Sequence, residues 1–398
     1  MMRSIPLITH CFRFQNPIME LSWLFGFVSV VAILLAELSL RQAFDRVVLR
    51  KNQVIEQSSQ EYLALSNLHV DPNMTDIDLR ILANEYNEHV QRCVAHYGNW
   101  STAIKSEDSM HMPDFQGKFL NVTNGLRVTT SLPMVARQRL YVFGGSTVFC
   151  GEVADEYTIC SLLQADINKK GFATSVFNFG RHGSTFRNRI LFVERLDLAK
   201  DDLVLFWFGT NELGWKLLEG KTKSNFFMNI VRKVSEALKL GSEYLALVAL
   251  FSSIFNSIVL EPLCKLYAYF ETRQSLKRLD RLSNLRGFKY RVFLQPNLLT
   301  KDMRTHRETV ILDFFLSRDK GRIVKKLLDK NYPRFRSLIA QFNGIDLSDV
   351  FKRDDREVFA DWVHLNSEGN RIVANFMFDT LENDGLFNDA YRNTLTDL

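Results

Sequence analysis

The stretch Leu140-Tyr-Val-Phe-Gly-Gly-Ser-Thr147 constrains the fold more than any other part of the chain. Four apolar residues form a short β-strand, the glycine pair ends it in a tight turn, and Ser146 is left at the strand's carboxyl end, where an open α/β sheet keeps its chemistry. A strand running into glycine and serine is commonplace alone. Its weight comes from three further segments downstream in the chain. Ala173–Phe177 reads as a second strand running into Asn178-Phe-Gly180, Asp202–Phe208 as a third running into Gly209-Thr-Asn211, and Asp361-Trp-Val-His364 stands near the C-terminus, ahead of Asn366 and Gly369.

Between these pieces the apolar spacing switches from strand to helix. Residues 155–170 and 184–199 have helical spacing, 290–294 and 345–347 read as further strands, and 367–381 as a closing helix with Ile372, Val373, Phe376 and Leu381 on one face. Repeated strand–helix units with short links predict an α/β domain of flavodoxin type, a three-layer α/β/α arrangement around a parallel sheet.

Ester chemistry needs the four side chains gathered this way. A serine hydroxyl is a weak nucleophile until a base takes its proton, and histidine, with a free pKa near 6.5, suits that task. Asp361 precedes His364 by three residues, close enough for its carboxylate to fix the ring's tautomer. A tetrahedral oxyanion then needs donors aimed at it: the backbone N–H groups of Ser146 and Gly180 and the side chain of Asn211 are the candidates.

In these four blocks the chain resembles the SGNH hydrolases, the GDSL-like esterases and acyltransferases, from about Leu140 to Phe378. The resemblance implies Ser146 as nucleophile, Gly180 and Asn211 as oxyanion donors with the Ser146 N–H, and Asp361 and His364 as acid and base. Two blocks depart from the family pattern. The first reads Gly-Gly-Ser-Thr where the name spells Gly-Asp-Ser-Leu, and the third places Glu212 after Asn211 where aspartate is usual, which bears on the support of Asn211 more than on reaction type. Asn121-Val-Thr-Asn-Gly-Leu-Arg127 is loosely similar to a lead-in found in some members.

Other chemistries lack an anchor in the sequence. There is no Gly-x-Ser-x-Gly elbow, His-Glu-x-x-His, Cys-x-x-Cys or phosphate-binding glycine loop. No cofactor and no metal are expected. The 50 basic and 45 acidic side chains nearly balance, so charge gives no reason to expect a nucleic-acid partner. Five scattered cysteines do not make a disulfide framework; a Cys150–Cys160 bridge is conceivable, but buried thiols are the preferred reading. His69, His89, His96 and His111 lack metal-like spacing and read as surface or packing residues. His182, a candidate substrate contact near Gly180, reads as a solvated loop histidine.

Residues 1–41 carry a second strong signal. From Leu21 to Ala36 no residue is charged, and residues 18–40 approach the roughly 20 needed to span a bilayer, with no small-x-small cleavage site after them. An uncleaved single-pass anchor is expected. Residues 42–138 form a polar juxtamembrane region with at least one amphipathic helix, on the spacing of Leu82, Tyr86, Val90, Cys93 and Val94. The catalytic domain is expected at 139–398, with a helical insertion at 213–286. Within it, 244–260 is uncharged, and reads either as an amphipathic lid or interfacial helix or as a helix packed on the core itself. Arg41, Arg46, Arg50 and Lys51 after the span favour a cytoplasmic domain, whereas the sequons at Asn73, Asn99 and Asn121 and the family's envelope and lipid substrates favour an extracytoplasmic one, the side expected here.

The function expected is a membrane-anchored serine esterase hydrolysing an O-acyl ester, lipid or acylated glycan, through an acyl-enzyme. An O-acyltransferase passing the acyl group to a glycan hydroxyl is the alternative within that chemistry. A catalytically silent membrane scaffold is the alternative of another class, which the intact Ser, Asn, Asp and His set argues against.

Overall fold

Strand β6 (Leu203–Phe208) is apolar at every position and buried at every position, as expected of a strand covered on both faces. Its neighbours β4 (Gln138–Gly144), β5 (Thr174–Gly180), β7 (Lys289–Leu294) and β8 (Gly344–Asp346) run parallel to it or to one another. The computed structural model describes residues 71–97, 112–212 and 261–387.

Strand residues alternate between two cores. Leu140 and Val142 of β4, with Leu203, Leu205 and Trp207 of β6, pack against α3 (Ile159–Lys169) and α8 (Ser367–Asn383). Tyr141 and Phe143, with Val204, Phe206 and Phe208, pack on the opposite face against α4 (Phe186–Arg195), α5 (Glu261–Arg286) and α7 (Asp319–Ile339). The spatial order of the parallel strands is β5-β4-β6-β7-β8. The chain therefore leaves β4 toward one edge of the sheet and returns on its other side at β6, and a crevice opens at the carboxyl ends of these two strands. Ser146 follows β4 and Asn211 follows β6, so the topology sets both at that crevice.

The sheet is mixed rather than wholly parallel, which corrects the sequence expectation. Strands β1 (Phe115–Gln116), β2 (Asn121–Thr123) and β3 (Leu126–Arg127) pair antiparallel, and β3 joins the edge through Arg127 opposite Asn178. Residues read as juxtamembrane thus extend the sheet. The β2–β3 link is Asn124-Gly125, both with positive φ (53° and 75°), a two-residue turn whose twist suits a hairpin. The carboxamide of Asn121 is committed here, donating to Asp155 Oδ2 at 2.7 Å and accepting from the Gly117 N–H at 3.1 Å.

Helix α1 (Asp76–Tyr97) matches the amphipathic spacing read between residues 82 and 94 and buries Leu82 and Cys93 against Phe149 and Leu120. Two helices between β7 and β8 were not anticipated from the sequence, α6 (His306–Ser317) and α7. The first opens on a capping box, Thr305 accepting from the Glu308 N–H and Glu308 from the Thr305 N–H. Beyond the cap, Glu308 is fully buried, pairs with the equally buried Lys301 at 2.5 Å, and accepts the Val358 and Phe359 N–H groups. Among the described residues no helix is long and apolar enough to cross a membrane. The predicted span at 18–40 and the segment 244–260 lie outside the described residues.

Breaking one partner of a buried ion pair leaves the other charge stranded in a dry interior. Lys301→Met is therefore expected to lower the unfolding free energy by about 3–5 kcal/mol in denaturant titrations, and adding Glu308→Gln is expected to recover part of that loss.

Candidate active site

Ser146 opens a single helical turn, α2 (Ser146–Phe149), that Cys150 closes with a left-handed φ of 54°. Two glycines make the turn possible by absence of bulk. A Cβ on Gly145 would lie 2.2 Å from Asn211 Nδ2, and one on Gly180 would lie 2.2 Å from the Phe149 nitrogen. The first lets the Asn211 amide come up against the backbone beside Ser146. The second lets the turn lie flat on β5, where Asn178 Nδ2 ties it down through the Val148 carbonyl at 2.9 Å.

His364 reaches Ser146 from a tight loop. A bridge between Phe359 and Leu365 pins the loop's base, the Ala360 N–H donates to the His364 carbonyl at 2.8 Å, and Asn366 caps α8 by accepting from the Gly369 N–H at 2.9 Å. Inside the loop Asp361 Oδ1 accepts the Val363 and His364 backbone N–H groups, both at 2.7 Å. Its Oδ2 lies 2.7 Å from His364 Nδ1. On the far side of the ring, Nε2 is 2.7 Å from Ser146 Oγ. With the Nδ1 proton donated to Asp361, Nε2 is left to accept the serine hydroxyl proton.

Electrostatics favour the protonated ring, so the neutral form with Nε2 free to accept gains population as pH rises through about 9. Burial alone pulls the imidazole's pKa down, but the negative charges of Asp361 and Glu152 and the hydrogen bond to Asp361 override it and raise His364 to about 9. Burial likewise works against the Asp361 carboxylate, yet the His364 charge and the hydrogen bonds from His364 and Val363 hold it below the ordinary aspartate value. Glu152, with Oε1 3.4 Å from Nδ1, was not singled out in the sequence. No periodicity or motif marks it there; only the fold brings it round.

The oxyanion candidates divide. Asn211 Nδ2 donates one hydrogen to the Ser184 carbonyl at 3.1 Å and keeps the second, since a carboxamide has two. The Gly180 N–H is already taken, donating to Asn178 Oδ1 at 2.8 Å. Among the described residues the N–H of Gly183, three residues on in the loop beside Asn211, has no acceptor. Glu212, the departure from the family's aspartate, is buried and holds both sides of this crevice, accepting the Gly209 and Phe186 N–H groups at 2.8 Å each. Arg189, whose pKa burial lowers to about 10 against the attraction of Glu212, donates to the Trp207 and Ser184 carbonyls.

His182 is buried rather than solvated, a correction to the sequence reading. Its ring lies 4.4 Å from that of Phe149, and Nδ1 is 3.3 Å from the Tyr86 hydroxyl. Burial, then the nearby histidines and arginines, push its pKa well below the ordinary value, so it sits neutral behind the nucleophile turn. His89 stacks on the same Phe149 ring at 5.3 Å, with burial and Arg127 pulling it down to about 4. Cys150 and Cys160 are buried free thiols, and burial raises Cys150 to about 12. The metal-capable donors found close together among the described residues are Glu152, Asp361 and His364. A cation there would have to displace the Asp361–His364 bond.

The His364 ring C–H resonances are expected to titrate near pH 9 in an NMR titration, and Asp361→Asn to lower that midpoint by a unit or more. The folded pKa lies above the free value near 6.5, so the pairing contributes its full stability below pH 6.5 and loses it as pH rises through about 9. The stability gap between wild type and Asp361→Asn is accordingly expected to narrow across that window in denaturant titrations.

Solved structures similar to the chain include a lipase/acylhydrolase from Enterococcus faecalis, 14% identical over 62% of this chain and 96% of that one with a TM-score of 0.34. The acetylxylan esterase Axe2 from Geobacillus stearothermophilus is 16% identical over 64% and 99%, with a TM-score of 0.32. The psychrotrophic esterase EstA from Pseudoalteromonas sp. is 10% identical over 62% and 97%, with a TM-score of 0.31. No curated protein matches the chain. The family model for GDSL-like lipase/acylhydrolase matches residues 140–377, a span that holds both β4 with its serine and the His364 loop, and the chain belongs to that family of ester hydrolases.

Proposed function

We propose that Ser146, His364 and Asp361 hydrolyse an O-acyl ester, of a lipid or an acylated glycan, through an acyl-enzyme. The observation that carries this reading is the unbroken line from Ser146 Oγ through His364 Nε2 and Nδ1 to Asp361 Oδ2, with both contacts at 2.7 Å. In the first step Ser146 Oγ bonds to the ester carbonyl carbon while its proton passes to His364 Nε2. The carbonyl oxygen gains the negative charge, with the Ser146 N–H and the second hydrogen of Asn211 Nδ2 as its donors. The Gly183 N–H is the third donor in this reading, because that of Gly180 is engaged by Asn178. Collapse of the intermediate breaks the bond to the alcohol oxygen, which leaves with the proton from His364. Water then repeats the sequence on the acyl-enzyme, losing its proton to His364 and releasing the acid and free Ser146.

The uncharged run from Leu21 to Ala36 supports a bilayer tether at residues 18–40, with the catalytic domain on the extracytoplasmic side, where acylated lipids and envelope glycans are found. An anchored esterase of this kind meets ester groups held at or near a membrane surface. Removing residues 1–41 is expected to move the protein from the membrane fraction to the soluble one.

The full chain is expected to label with a fluorophosphonate, and Ser146→Ala not to label. An unlabelled wild type would sink the serine-nucleophile reading. With p-nitrophenyl acetate, His364→Ala is expected to lower kcat by several orders of magnitude and Asn211→Ala by about a hundredfold or more, the usual effect of removing one oxyanion donor. Unchanged turnover in Asn211→Ala would remove that residue from the oxyanion hole.

A further inference from the structure

The turn that presents Ser146 also carries a second acid to the same imidazole. Cys150 reverses the chain with its left-handed φ, and Gly151 then passes so close to the Tyr86 ring that a Cβ on it would lie 2.3 Å from Cε2. With the backbone held on both sides of that point, the next residue sets Glu152 Oε1 3.4 Å from His364 Nδ1. Asp361 Oδ2 stands 2.7 Å from the same nitrogen, and one ligand atom from each of the three residues falls within 4.8 Å of the others.

Asp361 already does what orientation of the ring requires. One of its oxygens holds the loop backbone through two N–H groups and the other holds Nδ1. A second carboxylate beside it is unfavourable in itself, because burial and the Asp361 charge both work against ionising Glu152, opposed by His364 and Arg127. What the second carboxylate adds is negative charge on the Nδ1 side of the ring, and that charge matters most once the ring is a cation. We propose that Glu152 is a positioning residue that serves as a second carboxylate at His364 Nδ1, sharing with Asp361 the imidazolium formed when Ser146 gives up its proton. The inference rests on the reading of Ser146 and His364 as nucleophile and base.

The protons balance without a further partner. As Ser146 Oγ bonds to the carbonyl carbon its proton moves to Nε2, and the Nδ1 proton stays on nitrogen between Asp361 Oδ2 and Glu152 Oε1. When the leaving alcohol takes the Nε2 proton, the ring is neutral again and both acids are unchanged. The other groups facing this assembly are fixed: His182 behind the nucleophile turn is neutral by burial, Arg127 reaches in from β3, and the Cys150 thiol stays protonated.

The test is the pH profile of kcat/KM for p-nitrophenyl acetate, measured on the full chain as wild type, Glu152→Gln, Glu152→Asp, Asp361→Asn and the Asp361→Asn/Glu152→Gln pair. Glu152→Gln is expected to move the acid limb down by about one pH unit and to lower the alkaline plateau about tenfold, mostly in kcat. Glu152→Asp keeps the charge but retracts it by one methylene, so its limb is expected between the other two. In the Asp361→Asn background, adding Glu152→Gln is expected to remove at least a further tenfold. A limb that stays in place in the Gln variant overturns the proposal, even if activity falls uniformly at every pH, because a uniform loss is what a structural role gives. Should the Gln variant fail to fold, an unmoved limb in Glu152→Asp overturns it equally. A wild type without turnover or fluorophosphonate labelling fails the hydrolase reading instead; an active, labelled wild type with unmoved limbs fails Glu152 alone.

Discussion

A sheet buried on both faces leaves its strands nowhere to display polar chemistry except at their ends. Strand β6 shows this most plainly, six apolar residues in succession with no exposed position. The candidate site residues obey the constraint. Ser146 lies just past β4, Asn178 and the loop behind it at the end of β5, Asn211 just past β6, and the His364 loop is led in by residues that follow β8. The strand order, reversing direction at β4, turns that row of ends into a crevice. The arrangement of the candidate site is in this sense a by-product of burying phenylalanine, leucine and valine well.

Holding the loops at that crevice falls to charges placed inside the protein. Lys301 and Glu308, both wholly buried, steady the chain at Val358 and Phe359 just ahead of the histidine loop. Arg189 and Glu212 bind the loops after β5 and β6 to each other through the Ser184 carbonyl and the Phe186 and Gly209 N–H groups. Arg127 and Asp155, 2.9 Å apart, stand beneath the segment that follows the nucleophile turn. Buried pairs of this kind add little net stability over apolar residues of similar shape. They do fix one arrangement among several, and each here holds a segment that borders the candidate site.

Much of this was legible in the sequence because chemistry and position reinforced each other. Ser146, Asn211, Asp361 and His364 each stand after a strand or before a helix and belong to residue types with few alternative uses in combination. Strands β4 to β7 announced themselves by apolar runs ending in glycine, asparagine or proline. What escaped was decided by contacts distant in sequence. Gly180 looked like a donor, but its observed place follows from the lack of a side chain beneath Phe149, while Asn178 ties the turn after β4 to β5. His182 looked solvated because its loop is polar, and nothing local told of Phe149 and Tyr86 closing over it. Strands of two or three residues, such as β1 to β3, are too short to alternate visibly, though the Asn124-Gly125 pair was a hairpin signal that stood unread. Thr305 and Glu308 likewise spelled a helix start that the apolar pattern alone did not.

Helix α1 bears on the turn after β4 from outside the family-like segment. Tyr86 presses on Gly151, His89 stacks on Phe149, and Glu85 accepts the N–H groups of Phe119 and Leu120 in the link between β1 and β2. A gene fragment cut at the start of β4 would keep every reacting side chain and lose the wall behind Phe149. The unit that keeps Phe149 walled in is therefore larger than the family-like segment, and that segment moved into another protein would need an upstream helix that fits the same ring.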